Sequence, residues 1–118
     1  MAQKDELGRQ GEQLAAEYLE LHGYTVVDRN WRCRQGELDI VAERDGVLVF
    51  VEVKTRSGIG FGLPAEAVSH EKLARLRRLA GAWCDAHQPR MRSMRLDVIG
   101  IVLQHGQDIR LDHLTGVS

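Results

Sequence analysis

Long apolar runs are missing from this sequence. No stretch approaches the roughly 18 consecutive apolar residues that a membrane-spanning helix requires, and Met1 to Arg9 holds no apolar core of a secretory signal. The expectation is a cytoplasmic protein with no membrane partner. Cysteine is almost absent. Cys33 and Cys84 stand far apart without the close spacing of metal-binding pairs, and in a reducing compartment they are expected as free thiols. The histidines (His22, His70, His87, His105 and His113) show no ligand spacing such as i, i+4, so none is assigned a role. Internal repeats and low-complexity segments are also missing.

Net charge is nearly absent as well, at −1. That argues against a protein basic throughout, the usual footprint of nucleic-acid binding. The distribution says more than the sum. Residues 1 to 28 hold two bases and six acids, whereas residues 72 to 95 hold seven bases and one acid. Arg29, Arg32 and Arg34 add to the basic side. Thirteen of the sixteen bases are arginine, the residue that binds phosphate bidentately where lysine acts as a point charge. A near-neutral chain can therefore present a basic face. What remains is ordinary for a globular protein: 118 residues, read as a single domain over 1–118, with 43% apolar and 28% charged residues.

The most informative stretch is residues 36 to 54, which read as a hairpin. Val47 to Val53 is almost wholly Val, Leu and Phe, the pattern of a central buried strand. Asp45-Gly46 is a strong two-residue hairpin signal. With that turn, paired positions sum to 91, so Asp39 faces Glu52 and Glu37 faces Lys54. A four-residue loop keeps this register and a three-residue loop shifts it. Strand alternation then gathers Glu37, Asp39, Glu52 and Lys54 on one face. Like charges directly opposed on a ladder are destabilising, so the two carboxylates need a neutralising partner. A hard divalent cation, a shared proton or a nearby arginine would serve. An edge hairpin with solvated charges is the plain alternative, and it fits poorly with so apolar a second strand.

These residues carry a resemblance. An acid on one strand followed by Glu-x-Lys on the next resembles the core of the PD-(D/E)xK nuclease superfamily. Asn30 to Ala42, followed by Val51-Glu52-Val53-Lys54-Thr55-Arg56, more closely resembles the YraN family, a small bacterial family related in fold to archaeal Holliday-junction resolvases. Gly8-Arg9-Gln10-Gly11-Glu12 is similar to its first helix and Arg95 to Ile99 to its later strand, so the likeness covers nearly the whole chain. Leu38 stands where the superfamily motif has proline, a position that is not a ligand. The resemblance implies a restriction-endonuclease-like fold and a metal-dependent endonuclease. Asp39, Glu52 and the Val53 carbonyl would hold Mg²⁺ or Mn²⁺, and Glu12 would complete the site from the first helix. Lys54 would position water and stabilise phosphoryl charge, held charged by neighbouring carboxylates. Glu37 would orient Lys54 or act as an added ligand. Arg32, Arg34, Arg56, Lys72 and Arg75 would bind phosphates of branched DNA or structured RNA without reading sequence. Resolvase-like relatives also imply a homodimer.

Taken in order, residues 5 to 22 read as an amphipathic helix stopped by Gly23, and residues 24 to 28 as a strand. Asn30 to Gln35 read as a basic connection with Trp31 as a core lid. A flexible loop bearing Gly58, Gly60 and Gly62 follows Lys54. Residues 66 to 87 form a second helix on a Leu73, Leu76, Ala80, Trp83 face, with Lys72, Arg75 and Arg78 on a cationic flank. That flank gains meaning only if it borders the hairpin's carboxylates. Two strands follow, Met94 to Leu103 and Asp108 to Leu114, with Asp97 structurally paired to Arg95, Arg92 or Arg32. The fold class is α/β, a mixed central sheet flanked by helices. Two other function classes compete with the nuclease: a non-catalytic nucleic-acid-binding module and a small protein-interaction adaptor. Loss of Asp39 is expected to stabilise the metal-free protein by relieving repulsion.

Overall fold

A tight turn at Asp45 and Gly46 organises the sheet. Both residues have positive φ, 52° and 79°, as a type I′ hairpin turn demands. The turn joins β2 (Gly36–Arg44) to β3 (Val47–Arg56). Their ladder runs from Arg44↔Val47 to Ile40↔Val51, and each pair sums to 91, as the sequence predicts. The computed structural model describes residues 6–58, 64, 68–90, 93–104, 106 and 108–117. The readings for Gly60, Gly62, residues 66 and 67, Arg92 and His105 lie outside these; the second helix begins at His70, after its N-cap Ser69, and not at 66.

The order of elements is α1 (Glu6–Leu21), β1 (Thr25–Cys33), β2, β3, α2 (His70–His87), β4 (Ser93–Val102) and β5 (Arg110–Leu114). The five strands lie side by side in sequence order. β3 pairs antiparallel with β2 and parallel with β4, which makes it the centre of a mixed sheet. A parallel pair needs a crossover, and α2 lies between β3 and β4 in the chain. The expected α/β fold with helices flanking a mixed sheet is what the chain forms, consistent with a restriction-endonuclease-like architecture.

One connection differs from the sequence reading. β1 continues through Arg29 to Cys33 and pairs along its length with β2, including Arg32↔Glu37. Arg29 and Arg32 within this stretch, and Arg34 just after it, hid the strand. An edge strand tolerates such charge because one of its sides faces water.

The sheet separates two cores. On the α1 side, Ala15 and Leu19 meet Ile40, Val49, Val51 and Ile99. On the α2 side, Leu76, Leu79 and Trp83 meet Leu38, Leu48 and Phe50. Burial of each large side chain contributes about 1.5–3 kcal/mol, so both helices are held mainly by apolar packing. Leu21, the last residue of α1, is 84% exposed. Ser69 caps α2 by accepting the Lys72 N–H, and the Trp83 indole N–H donates to Asp28 at 2.9 Å, tying the far end of the helix to β1.

Candidate active site

Alternation along β3 sends Leu48 and Phe50 toward α2 and Val49, Val51 and Val53 toward α1. Glu52 and Lys54 therefore continue the α2-facing row past the end of the apolar core. On β2 the alternation breaks. Ile40 and Ala42 pack on the α1 side, while Leu38 and Val41 both pack on the α2 side. Gly36 also faces α2, since a Cβ there would approach Arg75 and Leu79 at 4.0 Å. Asp39 sits at this break, just past the last described β2–β3 pair. Its Oδ2 accepts the Val53 N–H at 2.8 Å, so the side chain replaces a main-chain acceptor where the strands part. N–H and C=O of one strand residue leave on the same edge, which turns the Val53 carbonyl toward Asp39 as well.

Together these residues line a cavity of about 420 Å³ at the sheet's end. α1 supplies Glu12, β2 supplies Asp39, β3 supplies Glu52, Val53 and Lys54, and α2 supplies Lys72 and Arg75. Glu12 and Asp39 are 5% and 8% exposed. Glu12 is thus no solvated surface glutamate. The approach of α1 explains its position: Gly11 lies so close to Thr55 that a Cβ would overlap Thr55 Oγ1. The absent side chain lets the helix touch β3 and carry Glu12 into the cleft.

Three placements differ from the sequence reading. Glu37 does not share the face of Asp39, because the break in alternation places it opposite Leu38; its carboxylate accepts from Arg32 Nε at 2.9 Å. It is not among the residues that line the cleft. Arg32 and Arg34 lie on the β1–β2 hairpin, outside the cleft-lining set, and Arg32 is engaged with Glu37. The carboxylates also do not govern Lys54. A hydrogen-bonding contact with Lys72 pushes the Lys54 pKa below the usual lysine range; burial and the charges of Lys72 and Arg56 act the same way, and Glu52 opposes them.

The cationic flank of α2 meets the condition set for it: Lys72 and Arg75 border the same cleft as Asp39 and Glu52. Arg56 is near enough to influence Lys54 electrostatically. The Lys54–Lys72 proximity was not legible from sequence, because it depends on how α2 docks.

Among the described residues, no three His, Cys, Asp or Glu side chains form a ready metal-holding group. Glu12 therefore does not join Asp39 and Glu52 in a preassembled three-carboxylate cage, although it lines the same cavity. The donor set still fits one class of ion. Mg²⁺ uses one or two carboxylates, keeps several waters and does not require an all-protein cage. Asp39, Glu52 and the Val53 carbonyl are hard oxygen donors of that kind.

A second polar cluster lies beneath the C-terminal half of α1. Asp97 is 0% exposed. It accepts from Arg95 Nε at 2.8 Å and Nη2 at 2.9 Å and from the Gly116 N–H at 3.0 Å, and lies 2.7 Å from His113 Nε2. Tyr18 Oη bonds the other ring nitrogen of His113 at 2.9 Å. Burial alone would raise the Asp97 pKa; His113, Arg95 and the Gly116 N–H overcome it and hold the carboxyl below its ordinary value. The expected Arg95–Asp97 pair is present, and His113 is a partner that its sequence spacing did not reveal.

Comparison with known proteins adds a lineage. The model of "Uncharacterised protein family UPF0102" matches residues 11–101. A UPF0102 protein of Arthrobacter sp. (strain FB24) is 53% identical over 118 residues, covering all of both chains. One from Clavibacter michiganensis is 52% identical over 106 residues, 90% of each chain. One from Mycolicibacterium smegmatis is 51% identical over 115 residues, 96% of this chain and 93% of its own.

Proposed function

Starting from a chain that belongs to UPF0102, the YraN family, we propose that the cleft hydrolyses phosphodiester bonds in structured nucleic acid with the help of Mg²⁺ or Mn²⁺. One observation carries the reading. A single cavity brings buried or half-buried carboxylates (Glu12, Asp39, Glu52) against cations (Lys54, Lys72, Arg75) from four different elements. Acids alone would suit a cation and bases alone an anion. Both together suit a metal-bound phosphate, whose charges each half complements.

Asp39, Glu52 and the Val53 carbonyl would hold the ion. When bound, it would lower the pKa of a coordinated water and neutralise charge on the phosphoryl and leaving oxygens. The remaining steps fall to the chain. Asp39, oriented by the Val53 N–H, presents its carboxylate at the strand gap. Lys54 donates hydrogen bonds to the attacking water and the phosphoryl oxygen, stabilising charge that builds as water bonds to phosphorus and the P–O ester bond breaks. Lys72, beside Lys54, and Arg75 bind the phosphate from the α2 wall. Such contacts read backbone rather than sequence, so selection would follow the substrate's shape.

The test is a cleavage assay with Mn²⁺ on linear, flap, four-way and RNA substrates, with Lys54→Ala and Asp39→Asn as controls. The reading expects wild-type cutting of at least one branched or structured substrate and a loss of 10²-fold or more in both variants, the scale of a removed electrostatic group. Salt-dependent binding without cutting under any metal condition would sink it and favour a binding module.

A further inference from the structure

A second hollow of about 320 Å³ adjoins the cleft, lined by Ser69, Glu71, Lys72, Arg75 and Arg78. Lys72 and Arg75 line both spaces, so they form a shared wall rather than two separate sites. The charge balance changes across that wall. The cleft holds three acids among its lining residues; the hollow has three bases and one acid. Lys72, Arg75 and Arg78 follow one another every third residue on α2. At 1.5 Å per residue they climb about 4.5 Å per step and 9 Å in total, a line of cations leading away from the carboxylates. The Ser69 hydroxyl sits at the same end of the helix.

We propose that this hollow is a second phosphate site, which grips the nucleic-acid backbone next to the linkage held over Asp39 and Glu52. The proposal rests on the hydrolase reading for its substrate class. It adds Arg78 and Ser69 as binding residues and gives the strand a direction of travel, out of the cleft and along the N-terminal half of α2. Guanidinium groups bind phosphate bidentately, and their contacts with a backbone are indifferent to base identity. Three bases against the single acid Glu71 leave the hollow net positive, as a phosphate requires.

The experiment measures binding, not cutting. Fluorescence anisotropy of labelled single-stranded 12-mers, one deoxy and one ribo, is followed against salt in EDTA for wild type, Arg78→Gln and Asp39→Asn. Arg78 is exposed, and circular dichroism confirms that its variant is folded. For Arg78→Gln the expected result is severalfold weaker binding and a log K versus log salt slope smaller by about 0.7, one single-strand phosphate contact. Asp39→Asn is expected to keep the wild-type slope, and the two sugars to behave alike. An Arg78→Gln protein with wild-type affinity and slope overturns the proposal. So does displacement of both oligonucleotides by polyglutamate at equal charge concentration, which would point to an acidic peptide. A separate Mn²⁺ thermal-shift series on wild type and Asp39→Asn reports on the metal alone, so failure of the hydrolase reading is recognised independently.

Discussion

An alanine at position 39 removes a charge and also the acceptor of the Val53 N–H. The two effects have opposite signs. Relief of carboxylate repulsion stabilises the metal-free protein, whereas a half-buried donor deprived of its partner costs about 1 kcal/mol or more. The hydrogen bond reverses the expectation, drawn from register alone, that any loss of Asp39 stabilises. Asp39→Asn keeps an acceptor oxygen and removes the charge. In urea unfolding without metal, Asp39→Ala is expected to fall below wild type by about 1 kcal/mol or more, and Asp39→Asn to equal or exceed wild type. In neither variant should Mn²⁺ raise the midpoint. For wild type, free Mn²⁺ at 100 times its dissociation constant should add about 2.7 kcal/mol.

At the scale of elements, the contact between α1 and β3 is the tightest that a single methyl would disturb. Gly11→Ala would place a Cβ 2.8 Å from Thr55 Cβ and nearer still to its hydroxyl. The Thr55 Cβ is fixed to the strand backbone and cannot swing aside as the end of a long side chain would, so the helix must lift. A cost of about 1–3 kcal/mol is expected, as for other overpacked sites, together with withdrawal of Glu12 from the cleft. Thr55→Gly removes the atoms that Gly11→Ala would strike. A double-mutant cycle should therefore show the pair less damaging than the sum of its parts, and additive losses would disprove the contact as the cause. Much of this level is legible in sequence. The I′ turn, the register of β2 with β3 and the apolar faces of both helices follow from local periodicity. The length of β1 did not, because Arg29, Arg32 and Arg34 made an edge strand resemble a connection.

Across the whole molecule, the candidate site and the Asp97 cluster occupy different parts of the fold. The cluster joins α1, β4, β5 and the segment through Gly116, and the Val117 N–H closes onto the Leu96 carbonyl. Removing one partner of a buried ion pair costs about 3–5 kcal/mol, a large part of the 5–15 kcal/mol that holds a domain. Asp97→Ala should accordingly lose most of its cooperative unfolding transition, and Asp97→Asn should lose less. The sign with pH follows from the depressed folded-state pKa. The contribution of Asp97 is fully present above the ordinary aspartate value of 3.8 and is lost as pH falls through the lower folded-state value. Urea midpoints measured from pH 6 down to pH 2 should show wild type converging on Asp97→Asn only at the acid end.

By itself, the sequence determined the hairpin and its turn, the buried central strand, the sheet-and-helix class and the register of β2 with β3 as far as Ile40 and Val51. All of these depend on neighbours in the chain or on a ladder whose register one turn sets. It also carried enough pattern to mark Glu12, Lys54 and the bases of α2 as candidates. Only the tertiary structure decided which candidates meet. Docking of α1 through Gly11 brought Glu12 inward, packing of α2 on Leu38 and Phe50 set Lys72 beside Lys54, and the break in alternation at Asp39 sent Glu37 to Arg32. Those outcomes depend on how close two packed surfaces come and on where a strand departs from its period, and neither distance is written in the spacing of residues along one chain.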